Sequence, residues 1–171
     1  MTLAGALRVP DGGPHPAVVL LSGSGPQDRN STIRGLQPFA QIAAVFEVAG
    51  IATLRFDDRG VAQSTGNANV LMADEAADAT AALRWLCQQP GVDQNRIGFL
   101  GHSSGAIAAA AAANGAVSAA FNIMLAGPAL PGDSVLRTQI QARMVSVGQP
   151  PERISQNQCT GGQIHHGDIA G

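Results

Sequence analysis

The sequence predicts an α/β fold in which a mostly parallel sheet carries helices on both of its faces. Several short apolar runs, such as residues 17–21 (AVVLL), have the length and composition of buried strands. Segments with apolar residues at helical spacing lie between these runs, and turn residues separate the two kinds of segment. Strands that alternate with helices form parallel sheets, because each helix returns the chain to the same end of the sheet.

The N-terminal part of the sequence contains two predicted strands and one helix. Residues 3–9 alternate loosely between apolar and polar side chains, which predicts a strand, and the proline- and glycine-rich residues 10–16 predict a turn. The buried strand at 17–21 follows, and the glycines within residues 22–30 let the backbone approach a ligand closely. Residues 38–49 have helical spacing between a starting proline and a terminating glycine.

A third strand and a second helix come next. Residues 51–56 (IATLRF) predict the strand, and residues 57–60 (DDRG) predict a polar loop after it. Residues 74–89 predict a helix with Asp74 as its N-cap and a Pro-Gly pair after its end. The buried face of this helix is expected to include Leu83, Trp85, Leu86 and Cys87.

The stretch at residues 96–113 holds the candidate catalytic motif. An apolar strand ends in Gly101-His102-Ser103-Ser104-Gly105, and a run of alanines, the strongest helix formers, follows at once. G-x-S-x-G between a strand and a helix is the pattern of a nucleophile elbow, a tight turn that exposes the serine hydroxyl. Gly101 and Gly105 have no side chains to clash in that turn, and the backbone N–H of Ser104 can point at a developing oxyanion. The motif alone is weak because Gly-Ser turns are common, so its place between strand and helix carries the interpretation.

The C-terminal part offers one more strand and one more helix. Residues 119–125 (AAFNIML) predict the strand. Residues 133–147 carry a helical stripe of apolar side chains that Gly148 closes. The remaining residues, 149–171, are polar and rich in Gln, Gly and Pro.

The length, composition and net charge of the sequence exclude several classes of protein. The 171 residues suffice for one domain with a core, and 45% apolar against 13% charged residues is a globular composition. A net charge of −2 without a basic stripe argues against a nucleic-acid partner, and no apolar run is long enough to span a membrane. Cys87 and Cys159 make no disulfide framework. With no signal peptide at the start we expect a cytoplasmic protein; an export signal upstream of Met1 would make it periplasmic or secreted. The oligomeric state is left open.

This layout resembles the α/β-hydrolase superfamily, and within it the bacterial serine esterases and dipeptidyl-aminopeptidase-like acyl hydrolases. The resemblance covers nearly the whole sequence from residue 3 to about residue 148. Its motifs, in the family's order, are residues 23–29 (GSGPQDR), 55–60 (RFDDRG), 83–86 with 93–98, 101–105 (GHSSG) and 125–128 (LAGP). The sequence departs from the family at Ala62, where a glycine is favoured, and at Ser104 and Ala106, where Glu and Gly are more frequent.

The resemblance implies a mechanism and the residues that perform it. Ser103 would be the nucleophile that forms an acyl-enzyme with a small-molecule ester or related acyl compound, and water would then cleave that intermediate. The backbone N–H groups of Ser24 and Ser104 would form the oxyanion hole, and the elbow around the nucleophile would consist of Gly101, His102 and Gly105. Asp58 and Arg59 are expected to pin the loop beside the site. No metal and no organic cofactor is implied.

The rest of a catalytic triad has no plausible place in this sequence. The superfamily carries an acid and then a histidine after two later strands, and no strand-like run follows residue 125. His165 and His166, with Asp168 nearby, lie in a tail without a strand to hold them in catalytic geometry. We therefore expect the N-terminal part of a longer hydrolase, with the last strands missing and at most weak activity. Residues 1–148 would form the hydrolase domain, and residues 149–171 a tail that starts a cap or a truncated region. A peptidase or acyltransferase on the same fold, and a non-catalytic binding module, are the alternatives.

Overall fold

A computed structural model of the protein describes residues 1–114, 118–130 and 132–148. The strands within these residues are β1 (Gly5–Arg8), β2 (His15–Leu21), β3 (Ala52–Phe56), β4 (Val92–His102) and β5 (Asn122–Leu125). The helices are α1 (Pro38–Val48), α2 (Met72–Leu86), α3 (Ser104–Ala113) and α4 (Gly132–Ser146). Strands and helices follow one another in the predicted order, β-β-α-β-α-β-α-β-α.

The strands form one mostly parallel sheet, as predicted. Their order across the sheet is β1-β3-β2-β4-β5, in which β1 runs antiparallel to β3 and the other neighbours are parallel. Val19 in β2 lies opposite Leu54 of β3 on one side and Phe99 of β4 on the other. Because β2, β3 and β4 run in the same direction, the loops that follow them all lie at the carboxyl ends of the strands, on one side of the sheet.

The two faces of the sheet pack against different helices. Successive side chains of β2 alternate between the faces. Val19 joins the larger hydrophobic core with Leu83 of α2 and Ala109 of α3, whereas Val18 joins a smaller core with Phe39 of α1. All of these side chains are at most 4% exposed. A strand covered on both faces needs a continuous apolar run, and residues 17–21 supply one.

Two details of α2 differ from the prediction. The helix begins at Met72 with Leu71 at the N-cap, so Asp74 is its third residue rather than its cap. From that position the Asp74 carboxylate reaches back and accepts a hydrogen bond from the backbone N–H of Leu71 at 3.0 Å. Trp85, predicted on the buried face, is 47% exposed, because Leu83 and Leu86 occupy the positions of the helix that point into the core.

The protein divides into two compact units. The first, Met1–Gly127, contains the entire sheet and helices α1 to α3. The second begins at Pro128 and includes α4, none of whose side chains is buried. The described helices are all too short or too polar to cross a bilayer. The division predicted at residue 148 borders residues outside the described ranges and stays a prediction.

Candidate active site

Ser103 is the single residue between the end of β4 and the start of α3. Its backbone has φ 54° and ψ −120°, a conformation that costs a residue with a side chain about 1–3 kcal/mol. Hydrogen bonds hold it on both sides: its N–H donates to the carbonyl of Leu125 at 2.9 Å, and its carbonyl accepts from the N–H of Ala106 at 3.1 Å. The predicted turn between strand and helix is therefore present, and its strain is located at the serine.

The two glycines of the motif are required by backbone contacts. A Cβ on Gly101 would lie 2.5 Å from the backbone nitrogen of Ala106. A Cβ on Gly105 would overlap the carbonyl oxygen of Ser22 and would lie 2.5 Å from that of Leu21. Real Cβ atoms do not approach backbone atoms this closely, so the start of α3 contacts both its own strand and the end of β2 only because these positions lack side chains.

The loop after β2 lies against the same turn. A Cβ added to Gly23 would be 3.1 Å from the His102 Nδ1 atom and 3.3 Å from the Cβ of Ser103. Ser24 is the next residue and is exposed. The structure thus brings the loop that carries Ser24 next to Ser103, although 79 residues of sequence (103 − 24) separate the two serines.

Ser104 is the first residue of α3, where the N–H groups of a helix have no partner within the helix. The backbone N–H of Ser104 therefore has no partner within the helix. Its side-chain oxygen is buried, and no hydrogen-bond partner for it exists among the described residues.

Asp58, after β3, holds both ends of the loop after β2. One carboxylate oxygen accepts from the Ser22 hydroxyl at 2.8 Å, and the other accepts from the backbone N–H of Gln27 at 2.9 Å. The backbone N–H of Asp58 also donates to the Gln27 carbonyl at 3.0 Å. Burial raises the pKa of Asp58, and the nearby charges of Asp57 and Asp78 act in the same direction, while the hydrogen bonds from Ser22 and Gln27 oppose them. The expectation that Asp58 pins this loop is met in detail.

The neighbouring Asp57 binds the far part of the same loop. Arg29 donates from its side chain to both carboxylate oxygens, at 3.0 and 2.6 Å, and from its backbone N–H at 2.8 Å. Asp57 is only 1% exposed. Burial pushes its pKa upward, but the hydrogen bonds from Arg29 and from the backbone N–H of Gln63 outweigh burial, so the pKa lies below its usual value. Arg55 adds a hydrogen bond to the Asn30 side-chain oxygen.

Residues 55–58 and 22–30, which the sequence presents as two separate motifs, are therefore one hydrogen-bonded unit. The sequence shows the acidic, basic and amide residues of both motifs. It does not indicate which residue of one motif binds which residue of the other.

Arg59 does not join this unit. Its guanidinium donates to Asp74 at 3.0 Å and to the two carboxylate oxygens of Asp78 at 2.7 and 2.9 Å. Both acids lie on α2, so Arg59 anchors that helix to the end of β3. The expectation that Arg59 pins the loop beside Ser103 is therefore wrong. Its planar guanidinium binds the two acids on α2 instead, because its N–H groups match the geometry of carboxylates.

A cavity of about 310 Å³ opens beside the loop after β2. Its walls come from that loop, from the segment after β3 and from α2 and α3; Ser103 is not one of its lining residues. Three carboxylates, those of Asp58, Glu75 and Asp78, face it. Burial raises the pKa of Glu75, and the negative charges of Asp58 and Asp78 add to that effect.

The described residues do not supply a histidine base for Ser103. His15 lies at the opposite end of β2, with its ring nitrogens 3.1 and 3.2 Å from the carbonyl oxygens of Gly50 and Asp11. His102 directly precedes Ser103 in the sequence, and its ring lies beside Gly23. His165, His166 and Asp168, which the sequence predicts to lie in a polar tail, are outside the described residues, as is Cys159. Within the described ranges no cluster of His, Cys, Asp or Glu could hold a metal ion.

Comparison with known proteins gives matches that cover more than half of this chain. The model of the X-Pro dipeptidyl-peptidase (S15) family matches residues 3–130. Esterase EstD of Thermotoga maritima is 35% identical over 146 residues, which are 81% of this chain and 34% of that esterase. An uncharacterised Mycobacterium tuberculosis protein is 36% identical over 98 residues, 57% of this chain and 31% of that protein. The chain thus spans about a third of the length of the curated relatives it matches.

Solved structures agree on the fold. An esterase of Pyrococcus furiosus superposes with a TM-score of 0.67 at 20% identity, over 91% of this chain and 54% of that one. A putative α/β-hydrolase of Agrobacterium tumefaciens superposes with a TM-score of 0.52 at 27% identity, over 63% of this chain and 47% of that one. The sheet and its helices therefore have the α/β-hydrolase fold, without the later strands of that fold in the described residues.

Proposed function

Because this chain belongs to the X-Pro dipeptidyl-peptidase (S15) family of hydrolases, we propose that it cleaves carboxylic esters or related acyl compounds through an acyl-enzyme on Ser103. The observation that carries the proposal is the backbone of Ser103, held at φ 54° between β4 and α3. Strain of this kind persists where the surrounding structure enforces it, and such positions cluster at active sites.

In the proposed reaction the Ser103 hydroxyl oxygen attacks the carbonyl carbon of the substrate and gives its proton to a base. The carbonyl oxygen becomes an oxyanion, which accepts hydrogen bonds from the backbone N–H groups of Ser24 and Ser104. The tetrahedral intermediate collapses, the alcohol leaves with a proton, and an acyl-serine forms. Water then attacks the acyl carbon, which releases the carboxylic acid and regenerates Ser103.

We place the acid and the base of the triad each after a further strand, and both strands would follow β5 in the sequence, outside the described residues. The carboxylates near the site already bind other groups, which supports this placement. Asp57 is bonded to Arg29, and Asp58 is bonded to Ser22 and Gln27. The reading frame of the source DNA past codon 171 tests this placement. A frame that continues into one strand followed by an acid and another followed by a histidine supports it; a stop codon directly after Gly171 contradicts it, and the mechanism would then depend on His165 or His166.

The nucleophile is tested by Ser103→Ala in the full-length protein. We expect kcat/KM for p-nitrophenyl acetate to fall by about 10³-fold or more, because residues of a triad act as a unit. Ser118→Ala, at an exposed serine before β5, is the matched control and should leave activity unchanged. Full esterase activity in Ser103→Ala would refute the assignment. Full-length protein that no fluorophosphonate labels would instead favour a non-catalytic binding module.

A peptidase on the same site is the second candidate, because the matching family is named for an X-Pro dipeptidyl-peptidase whereas EstD of Thermotoga maritima is an esterase. Both reactions use the same serine and differ in the leaving group, an amine or an alcohol. A panel of p-nitrophenyl esters and X-Pro amides separates them: turnover of the esters alone supports the esterase, and measurable turnover of the X-Pro amides supports the peptidase.

A further inference from the structure

The loop that would carry one oxyanion donor has little to define its own shape. Residues 22–27 form no helix or strand, and Ser24, Gly25 and Pro26 are exposed. Two of the residues are glycines, which restrict the backbone least. An oxyanion donor stabilises the transition state only if its N–H already points at the oxygen before the reaction, so some other part of the molecule has to hold this loop in place.

Asp58 is bonded to the loop at both of its ends and at no point between. Its carboxylate receives the Ser22 hydroxyl on one oxygen and the Gln27 N–H on the other, and its own N–H donates to the Gln27 carbonyl. Ser24 lies between the two attachment points. A single residue thus sets the distance between the two ends of the loop, and with it the path of the residues in between.

The position of Asp58 is itself fixed from both sides along the backbone. Asp57 before it is buried, and its backbone N–H donates to the carbonyl of Ala4 at 2.9 Å, whereas Arg59 after it is paired with Asp74 and Asp78 of α2. The carboxylate of Asp58 can therefore act as a rigid attachment point rather than following the loop.

From this geometry we infer that Asp58 is a positioning residue for catalysis, which holds the Ser22–Gln27 loop so that the Ser24 N–H meets the oxyanion formed at Ser103. The inference rests on the proposed function of Ser103. It assigns Asp58 no proton transfer and no contact with substrate.

The chemistry of its partners distinguishes this role from acid–base catalysis. Within the described residues Asp58 forms no ion pair; one partner is a fixed backbone N–H and the other is a hydroxyl that can rotate. An asparagine can satisfy both, because its amide oxygen accepts from the Gln27 N–H while its NH₂ group donates to the Ser22 oxygen. Alanine can satisfy neither. A positioning role therefore predicts rescue by asparagine, whereas a role that needs the negative charge or a proton predicts that asparagine fails.

The test compares Asp58→Ala and Asp58→Asn in the full-length protein with p-nitrophenyl acetate. For Asp58→Ala we expect kcat to fall by about 10- to 100-fold with KM within about 3-fold of wild type, because an oxyanion contact is made only in the transition state and a shift of about 1 Å can cost 100-fold. For Asp58→Asn we expect kcat within about 5-fold of wild type, since asparagine keeps both hydrogen bonds, although each is about half as strong as a bond to the charged group.

Leu83→Ala is the control for stability, because it removes a buried core side chain of α2 that forms no hydrogen bond to the loop. It should lower the free energy of unfolding by about 2–5 kcal/mol and leave kcat unchanged. If Asp58→Ala does not fold, Ser22→Ala, which frees one end of the loop, replaces it, with an expected fall in kcat of about 3- to 10-fold, smaller than for Asp58→Ala because the Gln27 end stays attached.

The inference is overturned if Asp58→Ala, or Ser22→Ala in its place, keeps wild-type kcat, or if Asp58→Asn is as slow as Asp58→Ala. Ser103→Ala in the same assay separates this failure from failure of the proposed function. If Ser103→Ala is inactive while the loop variants are fully active, only the role of Asp58 is lost; if Ser103→Ala is active, the proposed function itself fails.

Discussion

Positive φ angles at residues other than glycine have different meanings at different positions of this protein. Ser103, at φ 54°, lies where strand, helix and the loop after β2 meet, so its strain has a structural cause and a proposed use. Ala62 has φ 47° in the segment after β3, and no feature of the described structure gives that strain a use. It is also a position where the resembling family favours glycine, and the left-handed backbone is the physical reason for that preference.

We therefore predict that Ala62→Gly stabilises the protein. The left-handed conformation costs alanine about 1 kcal/mol or more, and glycine avoids that cost while losing part of the gain to unfolded-state entropy, so the net gain should be about 0.5–1 kcal/mol. Urea unfolding measures it. Ala77→Gly, at an exposed position inside α2, is the matched control and should destabilise by about 1 kcal/mol. Equal signs for the two changes would contradict the explanation.

At the scale of elements, the loop after β2 and the segment after β3 behave as one structure. Asp57 is the buried centre of this pairing, bonded by Arg29 and by the N–H of Gln63. Since these bonds lower the pKa of Asp57 below its ordinary value, the ionised carboxylate favours the folded state. That contribution is complete above the unfolded pKa and is lost as the pH falls through the lower folded pKa.

Asp57→Asn should consequently lower the free energy of unfolding at pH 7 by about 3 kcal/mol, because it leaves the Arg29 guanidinium without its charged partner. The difference from wild type should begin to shrink as the pH falls below about 4, where the carboxyl group of the unfolded chain takes up a proton, and should go on shrinking until the pH passes the lower pKa of the folded state. Urea unfolding at pH 7, 5 and 3 checks both statements. A difference that stays constant over this range would show that the charge of Asp57 does not stabilise the fold. The charge of Asp57 contributes to the raised pKa of Asp58, so Asp57→Asn also relieves part of that repulsion and makes the measured difference smaller. The pKa of Glu75 is raised by burial and by Asp58 and Asp78, so its contribution is nearly the same in both proteins.

At the scale of the whole molecule, the sheet is unevenly covered. Within the described residues β5 pairs only with β4, and its apolar side chains are exposed: Ile123 by 38%, Met124 by 51% and Leu125 by 38%. These residues have the composition of an interior strand. An exposed apolar edge can pair with the same edge of another molecule, so it favours association.

We predict that the 171-residue protein associates as its concentration rises and that Met124→Lys reduces this association, because a charge at a strand edge opposes pairing. Light scattering over a concentration series measures the effect. Val48→Lys, on α1, is the control: Val48 is 91% exposed but lies on a helix, whose backbone cannot template a strand. If the two lysine variants reduce association equally, general charge rather than the β5 edge is responsible.

The sequence by itself determined the order of strands and helices, the mostly parallel sheet and the place of Ser103 between a strand and a helix. Each of these follows from local properties: apolar periodicity, glycines at turns and the helix preference of alanine. Local pattern was less reliable for details that depend on packing. Trp85 is exposed because the orientation of α2, rather than the polarity of the residue, selects which side chains enter the core.

Only the tertiary structure decided which polar residues meet. Arg29 and Asp57 are 28 residues apart, Ser22 and Asp58 are 36 apart, and Gly23 contacts a turn some 80 residues later. Both motifs could be recognised as polar loops near the ends of strands, but their pairing depends on β2 and β3 being neighbours in the sheet. That adjacency is a property of the folded protein. Local periodicity predicts that a strand exists, whereas long-range packing decides which strand lies beside it.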